Sequence, residues 1–78
     1  MNPVKVLFRS MQWNDVQAAK NLRMHHENVR RIIKGLPSEL PDSFQLRLLR
    51  YMDMSLEAVD ALNASYVNWR NGDGQSAS

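Results

Sequence analysis

The chain of 78 residues contains no cysteine, so neither a disulfide nor a thiolate metal site can staple it. A domain this small must draw its stability from packed helices, with or without a partner subunit. No apolar run approaches the roughly 20 residues that a membrane span needs. No signal peptide is visible either, because the first ten residues alternate apolar side chains with Lys5 and Arg9. The expected location is therefore cytoplasmic. Catalytic patterns are missing as well. There is no Gly-rich phosphate loop and no paired-carboxylate motif, and Ser10, Ser38 and Ser43 lack patterned His and acid partners. Neither an enzyme nor a cofactor is expected. Alternation of period two is confined to Val4–Leu7, which a helical pattern explains better.

What is present is a 44% hydrophobic chain of a size that makes one domain. The formal net charge of +2 says little; its distribution says more. Lys20, Arg23, Arg30, Arg31 and Lys34 face a single acid, Glu27, in the stretch that spans them. Between Glu39 and Asp60 the balance reverses, with five acids against Arg47 and Arg50. A basic patch beside an acidic remainder is the footprint of a nucleic-acid face on an ordinary domain.

Helical periodicity and caps divide the chain into five helices. Asn2 precedes Pro3, a cap with proline at the first helical position, and Val4, Leu7, Phe8 and Met11 carry helix one to about Gln12. Asn14 caps helix two, which ends near Leu22 or Arg23. His25 or His26 opens helix three, with Val29, Ile32 and Ile33 apolar. Gly35 suits a left-handed cap at its end, with Pro37 close behind. Residues 36–41 read as a loop. Pro41 or Asp42 starts helix four, with Phe44, Leu46, Leu49 and Met52 apolar. Ser55 caps helix five, whose apolar line is Leu56, Val59, Leu62, Tyr66 and Trp69. The expected domain spans residues 1–70, and a Gly/Ser-rich tail, 71–78, is expected to be disordered.

The stretch from Asp15 to Lys34 resembles the helix-turn-helix of the lambda repressor and Cro family. That family wants a small residue midway along the first helix, and Ala19 supplies it. It wants apolar residues at that helix's end, after the turn and twice in the second helix; Leu22, Met24, Val29 and Ile32 supply these. Gly35, the proline-bearing loop, Leu46 and Leu49, and the YMDMSLEAVDAL segment extend the resemblance to roughly residues 3–62. Two residues depart from the pattern. Arg23 stands where the family usually has a left-handed glycine, and Asp15 where it often has a phosphate-contacting Gln.

The resemblance implies an all-α, compact five-helix bundle, lambda repressor-like, with helix three entering the major groove of double-stranded DNA. His25, His26, Glu27 and Arg30 then stand where base edges are reached. Arg30 is assigned to bases, and Arg31 to phosphate or an intramolecular pair, since adjacent helical residues point about 100° apart. Glu27 could accept from a cytosine amino group or pair with Arg30 or Arg31 one turn away. Asn28 could read adenine. Lys20, Arg23 and Lys34 suit phosphate, and Asn14, Gln17 or backbone N–H groups could replace the contact that Asp15 would repel. The adjacent His25 and His26 should diverge, and with no convergent third ligand no metal site is expected.

Trp13 should pack helix one against helix two, and Leu56, Val59 and Leu62 should lie in the core. Tyr66, Val67 and Trp69 lie beyond the family's closing segment. They either fold back on helix one or form a homodimer contact; the dimer is favoured, because one short helix reads few base pairs. The expected function is that of a Cro-like homodimeric repressor, complete in this one domain, in a bacterial cell or phage-infected host. The alternatives are an autorepressing antitoxin that also holds a toxin protein, and a protein-interaction module with a degenerate helix-turn-helix.

Overall fold

The computed structural model describes residues 1–73. Five helices follow one another: α1 (Pro3–Ser10), α2 (Asp15–Leu22), α3 (His26–Ile33), α4 (Asp42–Tyr51) and α5 (Leu56–Asn68). A wide π-type turn, Trp69–Asp73, continues α5. No strand occurs among the described residues. The radius of gyration, 11.8 Å, is close to that of a folded domain of this length. Of the expected tail, residues 71–73 belong to this turn, and residues 74–78 lie outside the described residues.

Local chemistry sets the helix starts. Asn14 Oδ1 accepts from Gln17 N at 2.8 Å while Gln17 Oε1 accepts from Asn14 N at 3.1 Å, a reciprocal cap. Ser55 Oγ accepts from Ala58 N at 3.1 Å. The chain leaves α3 through Gly35 at φ +76°, with Gly35 N donating to Ile32 O and Leu36 N to Arg31 O. That pair of bonds satisfies carbonyls the helix itself cannot. Helix α1 stops at Ser10, two residues short of expectation, because Gln12 turns left-handed at φ +61°.

The core joins Val4 and Phe8 of α1, Ala18, Ala19 and Leu22 of α2, Val29 and Ile32 of α3, Phe44 and Leu48 of α4, and Val59 and Tyr66 of α5. Three members of the expected apolar lines are exposed, Met11 at 46% and Leu46 and Leu56 at 64% each. Helix α4 buries the line Leu40, Phe44 and Leu48, spaced by four, and Leu46 lies about 200° round the helix from Phe44. Leu40 joins that line although it precedes the helix. Its N–H donates to Asn63 Oδ1 at 2.9 Å and its carbonyl accepts from Gln45 Nε2 at 2.8 Å, so a loop backbone is buried without orphaned groups. Leu56 stands at the first position of α5, where the chain enters from Ser55, while Val59 one turn later is fully buried.

Tyr66, expected at a contact between copies, lies inside the single chain. Its side chain is 0% exposed within the monomer, and its hydroxyl donates to Pro37 O at 2.8 Å. Val67 and Trp69 also pack against the core. Helix α5 packs against α1, the fold-back alternative for this segment, with Val67 and Trp69 half-buried.

Asn2 does more than cap. It is 3% exposed. Its Oδ1 accepts from Val4 N at 2.9 Å, while its Nδ2 donates to Ile32 O at 2.9 Å and Ile33 O at 3.0 Å. One amide thus caps the start of α1 and the end of α3, and fixes α3 from behind.

Candidate nucleic-acid interface

Helix α3 is polar on the side turned away from the core. Val29 and Ile32 are buried, whereas Glu27, Asn28, Arg30, Arg31 and Lys34 are exposed. Helix α2 packs across it, and the turn between them, Arg23–His25, is held from three sides. Arg23 adopts the left-handed conformation, φ 55° and ψ 47°, where a side chain other than glycine is strained. Met24 N donates to Ala19 O at 2.9 Å. Arg47 of α4 donates from NH1 to Arg23 O at 2.7 Å and to Leu22 O at 3.2 Å. The Arg23 guanidinium lies over the Tyr51 ring, 5.3 Å from its centroid, a cation–π contact that supports the turn.

His25 is the N-cap of α3. Its Nδ1 accepts from Glu27 N at 3.2 Å. His26 is the first helical residue. The two rings stack, with centroids 4.8 Å apart and planes 20° from parallel, contrary to the expected divergence. The 100° rule holds between two helical residues, and His25 is extended at φ −73° and ψ 137°. Among the described residues no group of three His, Cys, Asp or Glu side chains is placed to hold a metal ion.

Of the two adjacent arginines, it is not Arg31 that makes the intramolecular pair. Arg30 is the paired one. Its Nε donates to Asp15 Oδ2 at 2.8 Å, and its NH1 lies 3.7 Å from Glu27 Oε1. Arg31 forms no ion pair among the described residues. The Arg30 guanidinium holds the Asp15 carboxyl below its ordinary value of 3.8, and the carboxylate in turn raises Arg30. Glu27 also approaches His26, with Oε1 3.3 Å from Nε2.

Asn14 and Gln17 spend their side-chain oxygens on the cap of α2. Only their amide N–H groups remain to donate outward.

Two basic concavities flank α3. One, of about 700 Å³, lies between α2, α3 and the start of α4; Lys20, Arg23, Asn28, Arg31 and Arg47 line it. The other, of about 480 Å³, lies between α1 and α3, and brings Lys5 and Arg9 beside Arg30 and Lys34 with Trp13 at its wall. Lys5, Arg9 and Arg47 were not among the residues expected at the site. Lys5 and Arg9 stand four apart on one helix face, but only the packing of α1 sets that face beside α3. The two concavities set cations on both sides of α3 and give it two walls.

Compared with protein-family models, with curated protein sequences and with solved structures, the chain matches none.

Proposed function

We propose that this chain is a sequence-specific DNA-binding transcriptional regulator of the Cro-like repressor kind. In this reading α2 and α3 act as a lambda repressor-like helix-turn-helix, and α3 enters the major groove. The observation that carries it is the braced α3. An eight-residue helix with an exposed edge of Asn28, Arg30, Arg31 and Lys34 is fixed from behind by Asn2 and from its start by the left-handed turn at Arg23. Base readout needs such rigidity, because each side chain must meet a fixed donor and acceptor pattern. Lys20 and Lys34, joined by Lys5 and Arg9, suit the phosphates on either side.

One helix this short reads only a few base pairs, so the operator is proposed to be an inverted repeat bound by two copies. The contact between copies does not use Tyr66, which the monomer buries completely.

Selection from random duplex DNA at near-physiological salt tests this reading. Enrichment of an inverted repeat, with half-sites about one helical turn apart, supports it. Weak, salt-sensitive binding without enrichment removes it. One observation favours a second reading, a protein-interaction module. Asp15 and Glu27 both lie against Arg30 and offset its charge, which lowers the attraction of this face for DNA. The absence of any enriched sequence would direct attention to a protein partner, a toxin among them.

A further inference from the structure

On the reading of this chain as a DNA-binding regulator, we infer that Asp15 is a positioning residue that makes Arg30 a guanine reader and keeps it off phosphate. Asp15 sits in the first turn of α2, and Arg30 in the middle of α3. Their bond, Nε to Oδ2 at 2.8 Å, crosses from one helix to the other. A guanidinium has five N–H donors. With Nε committed to Asp15, the free edge is the end formed by NH1 and NH2. That edge matches the paired acceptors O6 and N7 of guanine.

The carboxylate also changes which partner the arginine prefers. A lone arginine is drawn to any phosphate, because the attraction is charge against charge. Paired with Asp15, and with Glu27 Oε1 3.7 Å from its NH1, Arg30 still presents N–H groups, but its positive charge is offset. The attraction to phosphate falls, while the hydrogen bonds to a neutral base remain. Holding the side chain before DNA arrives also removes rotamer freedom that binding would otherwise have to freeze. Arg31 has no acid beside it and keeps full charge for the backbone.

A purely structural tether explains the pair less well. Ala18, Ala19 and Leu22 of α2 and Val29 and Ile32 of α3 already bury the contact between the helices. The Arg30 side chain is 50% exposed, and exposed ion pairs contribute little to stability. The Arg30 guanidinium holds the Asp15 carboxyl low, so the carboxylate that faces it is ionised across the neutral pH range.

The test compares the wild-type chain with Asp15→Ala, Asp15→Asn and Arg30→Ala. Affinities are measured for the duplex that the wild type selects, for copies in which each guanine is changed to adenine in turn, and for a scrambled duplex. Asp15→Ala is expected to bind the scrambled duplex more tightly and to lose about five- to tenfold of the guanine preference at one position. Asp15→Asn should fall between. Arg30→Ala should abolish the preference at that same position, and adding Asp15→Ala to it should change the preference no further. Thermal unfolding should stay close to that of the wild type throughout. Retention of every guanine preference by Asp15→Ala overturns the inference. So does a uniform loss across all positions together with lowered stability, which would make the pair a structural tether. A wild-type chain that selects no sequence overturns the regulator reading itself, and the inference with it.

Discussion

The indole of Trp69 occupies the space that a β-carbon on Gly35 would need. A Cβ at Gly35 would lie 2.7 Å from Trp69 Cζ3 and 2.8 Å from Cη2, and Arg70 Nε donates to Gly35 O at 2.8 Å. The end of α3 is thus clamped by the end of α5. Gly35→Ala should carry two penalties, about 1–2 kcal/mol for a left-handed alanine and about 1–3 kcal/mol for the overlap. Chemical denaturation measures the sum. In a Trp69→Leu background the overlap is relieved, so Gly35→Ala should cost less there; equal losses in both backgrounds would show that the indole is not the obstacle.

Asn2→Asp separates the two jobs of Asn2. Aspartate caps an ordinary helix as well as asparagine does. Here it would lose the donor that serves Ile32 O and Ile33 O and set a carboxylate against two carbonyls. The expected loss is about 1–3 kcal/mol. An unchanged unfolding midpoint would mean that only the cap at Val4 N matters.

Tyr66→Phe should leave the molecular mass in sedimentation unchanged and lower stability by about 1 kcal/mol through the lost bond to Pro37 O. Burial pushes the Tyr66 phenol above its ordinary value of 10.0, against a smaller opposing effect of Arg70. The folded state therefore holds that proton more tightly than the unfolded state. Its contribution is complete below about pH 10 and is lost as the pH rises through the raised folded value. Alkaline unfolding should be displaced in Tyr66→Phe, and a dimer that dissociates in this variant would contradict the burial.

For Asp15 the sign is reversed. Its carboxyl is held down by the hydrogen bond from Arg30, partly opposed by desolvation. A depressed carboxyl adds stability above its unfolded value, and that stability is lost as the pH falls through the folded value, below 3.8. Carboxyl titration followed by NMR should show Asp15 titrating below 3.8 in the wild type and moving up toward it in Arg30→Gln. An Asp15 that titrates identically in both proteins would show that the pair does not persist in solution.

On DNA, Lys34→Ala and the double variant Lys5→Ala/Arg9→Ala should weaken binding to all duplexes about equally. Each lost phosphate contact should reduce the slope of log affinity against log salt by about 1. An unchanged slope in the double variant would remove the concavity beside α1 from the interface.

The parts legible in the sequence are those that neighbours in the chain decide. The caps at Asn2, Asn14 and Ser55 and the left-handed exit at Gly35 lie where their residue types place them, because each bond is made within about three residues. Arg23 stands where the resembled family has a left-handed glycine, and it is left-handed. The candidate site was legible only as a list of exposed cations. The bond from Asp15 to Arg30, and Lys5 and Arg9 as neighbours of Lys34, depend on where one helix lies against another.

The sequence by itself determined five helices, their caps, and which face of α3 would be polar, since hydrophobic period and capping chemistry are local properties. The tertiary structure decided which of several adequate apolar residues found a neighbour. Leu48 rather than Leu46 faces the core, and Tyr66 is buried within the single chain. It also decided which of two adjacent arginines met an acid. Apolar pattern and formal charge say that a group will seek burial or a counter-charge; only the packing of α1, α2, α4 and α5 around α3 says which group is within reach.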